Sequence, residues 1–266
     1  MNMLNIGCGA TFHPDWVNID LGGGDHAISH NITNGIPFPD EMFDVVYHSH
    51  LLEHLPLENA LPFIKECFRV LKPGGIVRIL VPDLEQIARL YLEKLSSARE
   101  SEADYDWIML ELYDQCVRQE SGGQMERYLR SSHASQSPFV VERMGHSAVY
   151  AEQEVRKPAF KLSTRILGHF LCKLRSELAK WAAFAIAGES GRNAFREGVF
   201  RNSGEVHRWM YDRFSLGRLM TSGGFDDVRV VSPLESRIPD FARYELDVCR
   251  GVVRKPDSLV MEGVKL

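Results

Sequence analysis

The chain has 266 residues, 44% apolar and 25% charged, with a formal net charge of −5. Those proportions belong to a globular protein with a full core, and they count against a general nucleic-acid binder, which shows a basic balance. Five cysteines, Cys8, Cys67, Cys116, Cys172 and Cys249, are odd in number and lack any Cys-x-x-Cys spacing, so neither a disulfide framework nor a zinc site is suggested. No apolar run reaches the roughly 18 residues of a membrane span and no h-region opens the chain. A cytoplasmic protein without an integral membrane segment is expected.

The first predicted element is Met3-Leu4-Asn5-Ile6, an apolar run ending in Gly7-Cys8-Gly9. It reads as a buried strand whose glycines permit a sharp turn and a close ligand approach. A second run, Trp16-Val17-Asn18-Ile19, ends in Asp20. In a doubly wound sheet a carboxylate at that strand tip lies beside the first turn and can accept both hydroxyl hydrogens of a ribose. The dinucleotide fingerprint fails. Phe12 holds the third glycine position, and Asp20 follows Gly9 by eleven residues, against about 20 in that pattern. A ligand with a ribose and no phosphate suits these residues better.

Ala27 to Ile32 is a weak third strand, leading to Ile36-Pro37-Phe38-Pro39, where prolines forbid helix. Phe43 to His50 is a strong buried strand, and Leu57 to Leu71 a helix with Leu61, Ile64, Phe68 and Leu71 at helical spacing. Lys72-Pro73-Gly74-Gly75 stops that helix, glycine taking a left-handed cap, and Ile76 to Asp83 is the next strand. From Leu84 to His207 the pattern is helical, with Leu84, Ile87, Tyr91 and Leu95 marking one helix and Ile108, Leu112 and Cys116 another. The stretch from Lys161 to Ala187 is helical too and carries Lys161, Arg165, Lys173, Arg175 and Lys180, read mainly as a solvated face. Asp212 caps a further helix ended by Gly223-Gly224, and Asp227 to Val231 and Ser258 to Val264 read as strands.

Four stretches in order, Leu4-Asn5-Ile6-Gly7-Cys8-Gly9, Ile36-Pro37-Phe38-Pro39-Asp40 with Phe43-Asp44-Val45-Val46, Leu52-Glu53-His54-Leu55, and Arg69-Val70-Leu71-Lys72-Pro73-Gly74-Gly75, carry a resemblance. The sequence resembles the class I S-adenosylmethionine-dependent methyltransferases of the type 11 group, including a bacterial subgroup associated with polysaccharide synthesis. The resemblance implies a Rossmann-like α/β fold with a seven-stranded, mainly parallel sheet whose last strand is antiparallel. Residues 1–83 and 208–266 form its core, and 84–207 a helical insertion over the acceptor pocket. It also implies S-adenosyl-L-methionine as cofactor, held by Asn5, Gly7, Gly9, Asp20, Asn31 and Ser49. Asn31 stands where relatives often place an aspartate against the adenine amino group, and an amide can accept from that group and donate to a ring nitrogen.

The expected reaction is O-methylation of a small-molecule or glycan-related acceptor. The alternatives are an N- or C-acceptor, a nucleotide-dependent oxidoreductase or epimerase, and a non-catalytic binding protein. His50, at the strand end, is the first candidate base, and Asp83 a second catalytic candidate whose other role is capping the following helix. His48 is read as packed under a helix. His133, His146, His207, Arg208 and Tyr211 are weaker acceptor contacts. His50-x-x-Glu53-His54 is similar to the Glu-x-x-Glu-His magnesium site of some methyltransferases, but imidazole in the first position disfavours magnesium, so no metal site is expected.

Overall fold

The computed structural model describes residues 1–131, 137–145 and 166–266. The sheet spreads both ways from β1 (Met3–Ile6), where Leu4 and Ile6 are fully buried. On one side β1 pairs in parallel with β2 (Val17–Asp20), which carries the short β3 (Ile28–Ser29) outside it. On the other side it pairs in parallel with β4 (Phe43–Ser49), and β4 with β5 (Leu71–Pro82). Successive strands thus leave β1 in opposite directions. That makes a switch point between the carboxyl ends of β1 and β4, where open α/β sheets bind ligands.

The sheet is completed by β6 (Asp226–Val230) and, after a small hairpin of β7 (Val248–Cys249) and β8 (Val252–Val253), by β9 (Ser258–Val264). The order is β3-β2-β1-β4-β5-β9-β6, with β9 antiparallel to both β5 and β6. The expected seven-stranded sheet with an antiparallel last strand is therefore present. The hairpin has no counterpart in the sequence reading.

Helix α1 (Leu57–Val70) lies against one face and buries Ala60, Phe63, Ile64, Cys67 and Val70. Each large apolar side chain buried there contributes about 1.5–3 kcal/mol. The buried stripe is turned from the expected one, because Leu61 and Phe68 are only partly covered. The helix also does not end in a glycine cap. Leu71 is already extended (φ −78°, ψ 141°), and strand β5 begins there. Gly74 takes its positive φ of 77° inside the strand segment, where its N–H donates to the Lys265 carbonyl at 2.6 Å. The preceding Pro-Phe-Pro turn is tied to the same helix. Arg69 donates to the Ile36 and Phe38 carbonyls, and Glu66 accepts from the Ile36 N–H at 2.8 Å.

Beyond β5 come α2 (Leu84–Ser96), α3 (Glu102–Val117), α4 (Gly123–Leu129), α5 (Pro138–Met144) and α6 (Ile166–Arg201). Helix α6 is interrupted at Ala187 and Gly188 (φ +60°, ψ −152°). Among the described residues from 84 to 207 there is no strand. A buried Arg143–Glu111 pair at 2.5 Å joins α5 to α3, and Arg143 also donates to Gln86 of α2. On α6, Arg175 is exposed and Lys180 pairs with Glu177 at 2.7 Å. His133, His146, Lys161 and Arg165 lie outside the described residues. No helix among the described residues is long and apolar enough to cross a membrane.

The chain returns to the sheet through an irregular strap, residues 206–211, and then α7 (Arg213–Ser222). Asp212 caps α7 by accepting from Phe214 and Ser215 N–H, with Ser215 Oγ closing a capping box. The strap is pinned at three places. His207 N–H donates to Gln115, Arg208 and Trp209 N–H to the Glu53 carbonyl, and Leu84 N–H to the Tyr211 carbonyl.

Candidate functional site

A cavity of about 310 Å³ opens at the switch point, within the range of small-ligand sites. Asn5, Gly7 and Gly9 form one wall, and Ser49 and His50 at the end of β4 another. The third wall flanks the β7–β8 hairpin, with Asp247 before it and Arg254 and Lys255 after it. Asn5 is buried and fixes the turn by donating to the Thr11 carbonyl and to Asn18 Oδ1, both at 3.0 Å. Gly7 and Gly9 both have positive φ, but for different ends. A Cβ on Gly7 would meet Leu51 Cδ1 at 2.8 Å, whereas one on Gly9 would meet nothing within 4 Å. Gly9 thus presents bare backbone to open space, the arrangement that lets a ligand approach closely.

Asp20 sits beside this turn. Its Oδ2 accepts from Gly9 N–H at 3.0 Å and its Oδ1 from Gly22 N–H at 2.9 Å. A carboxylate has about four acceptor sites, so capacity remains on both oxygens. Asp20 does not itself line the cavity, and neither does Asn31, which is exposed and accepts from Thr33 N–H at 3.0 Å and Thr33 Oγ1. Asp83 is also outside it. Its side chain caps α2 by accepting from Gln86 N–H at 3.1 Å, and burial raises its pKa. The structure therefore brings Asn5, Gly7, Gly9, Ser49 and His50 together and leaves Asp20, Asn31 and Asp83 around them.

His50 leaves the strand in the left-handed region (φ +51°), a conformation that non-glycine residues rarely hold without a local reason. Strand alternation consequently does not set its direction. Its Nε2 lies 2.7 Å from Ser258 Oγ and its Nδ1 3.4 Å from Glu53 Oε1. Burial, then the nearby Lys255, hold its pKa well below the usual imidazole value, so it is neutral at pH 7. His48 is fully buried against Phe63, with ring centroids 5.2 Å apart, and neither ring nitrogen has a hydrogen-bond partner among the described residues.

Behind His50 lies a group that sequence spacing alone does not assemble. Glu53 is fully buried, and neither carboxyl oxygen has a hydrogen-bond partner among the described residues. Loss of water raises its pKa to about 8. His207 Nε2 is 4.0 Å from Glu53 Oε1, and the His54 and His207 rings meet edge to face with centroids 4.8 Å apart. Burial lowers His54 and brings His207 down to about 3. The Tyr211 hydroxyl, also without a hydrogen-bond partner among the described residues, is pushed up to about 12 by burial and then by Glu53. Lys255 and Asp257 approach from the loop before β9, burial lowering the first and raising the second to about 6. Lys255, Asp257 and Asp247 escape sequence reading, because Arg254-Lys255-Pro256-Asp257 offers only a polar run between strands.

Residues 23–79 match the family described as "Methyltransferase domain". Over 56 residues the chain is 39% identical to a protein of Mycolicibacterium smegmatis named probable S-adenosylmethionine-dependent methyltransferase, covering 21% of each chain. It is 44% identical over 48 residues to the probable methyltransferase ltbC of Aspergillus luteorubrus, covering 18% of this chain and 17% of that one. The chain thus spans about a fifth of the length of the curated relatives it matches. A solved S-adenosylmethionine-dependent methyltransferase from Archaeoglobus fulgidus aligns over 99% of this chain and 86% of its own, at 11% identity and a TM-score of 0.40. The match to a methyltransferase domain over residues 23–79 runs from the loop before β3 into β5, and the glycine turn after β1 stands beside it at the switch point.

Proposed function

We propose that the chain transfers a methyl group from S-adenosylmethionine to an oxygen of a small-molecule or glycan-related acceptor. The observation that carries this reading is the cavity at the switch point, bounded by the bare backbone of Gly9 and by the neutral imidazole of His50. The residues present fit the cofactor. Gly9 offers a cradle that any Cβ would enter, and Asp20 keeps acceptor capacity for two ribose hydroxyls beside it. When bound, S-adenosylmethionine supplies an electrophilic methyl group on a sulfonium.

The protein's part is to orient the acceptor, exclude water and receive a proton. Orientation alone can supply roughly 7–11 kcal/mol of the barrier. His50 is placed to take the proton of an acceptor hydroxyl, because its imidazole is neutral at pH 7 and lines the cavity. Ser258 Oγ, 2.7 Å from Nε2, orients the ring, and Nδ1 faces the Glu53 carboxyl at 3.4 Å. In this reading the helices between β5 and the strap cover the acceptor end of the site. The preference for a glycan-related acceptor, and a cytoplasmic location, rest on the family resemblance.

Incubation with methyl-labelled S-adenosylmethionine and panels of hydroxylated and aminated acceptors tests the proposal. Label should appear in a hydroxylated acceptor, and His50→Gln should lower kcat by about 10²-fold or more. The Kd for S-adenosylhomocysteine should stay within about threefold, since the ring acts on the acceptor. Label in amines alone, or an unchanged kcat in His50→Gln, contradicts it.

A further inference from the structure

The strap at 206–211 carries His207 onto Glu53 and His54, and the donor set that results is independent of the methyl-transfer reading. We infer that Glu53, His54 and His207 bind one divalent transition-metal ion of the zinc or cobalt class. Each residue offers one ligand atom, and these atoms lie within 4.8 Å of one another. Metal bonds of 2.0–2.1 Å to nitrogen and oxygen place ligand atoms about 3.3 Å apart in a tetrahedron. The three need close by only about 1.5 Å, a movement within reach of side-chain rotation about the Cα–Cβ bonds.

Glu53 supplies the second, independent reason. A buried carboxyl with no donor is rare in folded proteins and calls for a cation or an unseen partner, and both oxygens of Glu53 are in that condition among the described residues. The histidines are prepared for the same role. His54 Nδ1 lies 3.3 Å from the Val206 carbonyl, which fixes the proton there and leaves Nε2 as the ligand nitrogen. Two imidazoles and one carboxylate suit zinc-class ions, whereas magnesium prefers oxygen alone. Residues 53 and 54 supply two donors, and His207 completes the set from a distant part of the chain.

The ion would stand behind the cavity wall. His50 Nδ1, 3.4 Å from Glu53 Oε1, stands between the ion and the cavity, and the fourth position is left to an oxygen that is not a side chain of the set. The competing ways to satisfy Glu53 are a proton on the carboxyl and the ammonium of Lys255, whose charge acts on it.

The full chain, treated with a chelator that is then removed, is titrated with cobalt(II), whose visible absorption reports low-coordinate nitrogen and oxygen ligation. A band should saturate at one equivalent and vanish when zinc is added. The unfolding midpoint should rise over the same titration. Glu53→Gln and His207→Asn should each weaken cobalt binding by about tenfold or more, while circular dichroism stays that of the parent. If Glu53→Gln fails to fold, His54→Asn takes its place. A parent chain without the band overturns the site, and so does a band unchanged in the variants. Stabilisation by magnesium without a cobalt band overturns it as well. A parent chain that binds no cobalt and is stabilised by Glu53→Gln would mark Glu53 as a buried neutral acid, also against the site.

Discussion

Arg78 and Glu53 are both fully buried, yet among the described residues the first is surrounded by hydrogen-bond partners and the carboxyl of the second has none. Arg78 pairs with Asp247 at 2.6 Å and Glu262 at 2.7 Å, and donates to the Glu235 carbonyl at 2.9 Å. Tyr47 OH donates to Asp247, and Ser236 Oγ and the Arg237 N–H to Glu262, so every oxygen of the two carboxylates has a partner. The network ties β4, β5 and β9 to the loop from Ser232 to Asp247, which supplies the outer wall of the cavity. Glu53, at the other extreme, meets three neutral imidazoles and an unpartnered phenol. Satisfied buried charge ties segments together, and unsatisfied buried polarity behind a cavity wall marks where something outside the chain is expected.

The contrast makes Arg78 the most damaging place to cut. Arg78→Met leaves two buried carboxylates without their cation and should cost about 3–5 kcal/mol in urea unfolding. A loss below about 1 kcal/mol would mean that the network is not what fixes the loop. His48 belongs to the unsatisfied class, and its effect should appear with pH. Burial lowers its pKa from 6.5 to about 3, so between those values the unfolded chain binds one more proton than the folded chain. Stability from this residue is therefore intact above pH 6.5 and lost as pH falls. His48→Leu should reduce the slope of stability against pH between these limits by about 1.4 kcal/mol per pH unit, measured by unfolding at a series of acidic pH values. Glu53→Gln should change metal-free stability least, by about 1 kcal/mol or less, because it breaks no hydrogen bond of the carboxyl among the described residues. A large loss would show that Glu53 has a structural partner and would erase the contrast with Arg78.

The parts of the site that sequence makes legible are those set by local geometry. The glycine turn after β1, the carboxylate ending β2 and the β-branched run of β4 each have a short-range physical signature, and together they locate the switch point. The capping role of Asp212 is readable in the same way. Asp83 shows the limit, since one aspartate before a helix reads equally as cap or catalyst, and here its side chain is used by the Gln86 N–H. His207, Asp247 and Lys255 lie in irregular segments with no period to read. They reach the end of β4 only through contacts far apart in sequence, such as the Tyr47–Asp247 hydrogen bond at 2.7 Å. The hairpin from Val248 to Val253 is too short for alternation to show.

The central claim is that the turn from Gly7 to Gly9 and the Asp20 carboxylate hold an adenosyl-sulfur cofactor. Thermal unfolding of the parent chain and Asp20→Ala, with S-adenosylhomocysteine, NAD or NADP each added in excess, tests it most directly. At 100 times its dissociation constant a ligand stabilises by about 2.7 kcal/mol, so S-adenosylhomocysteine should raise the parent midpoint by several degrees and leave Asp20→Ala almost unmoved. A shift with NAD or NADP instead, or an equal shift with S-adenosylhomocysteine in both chains, would contradict the account.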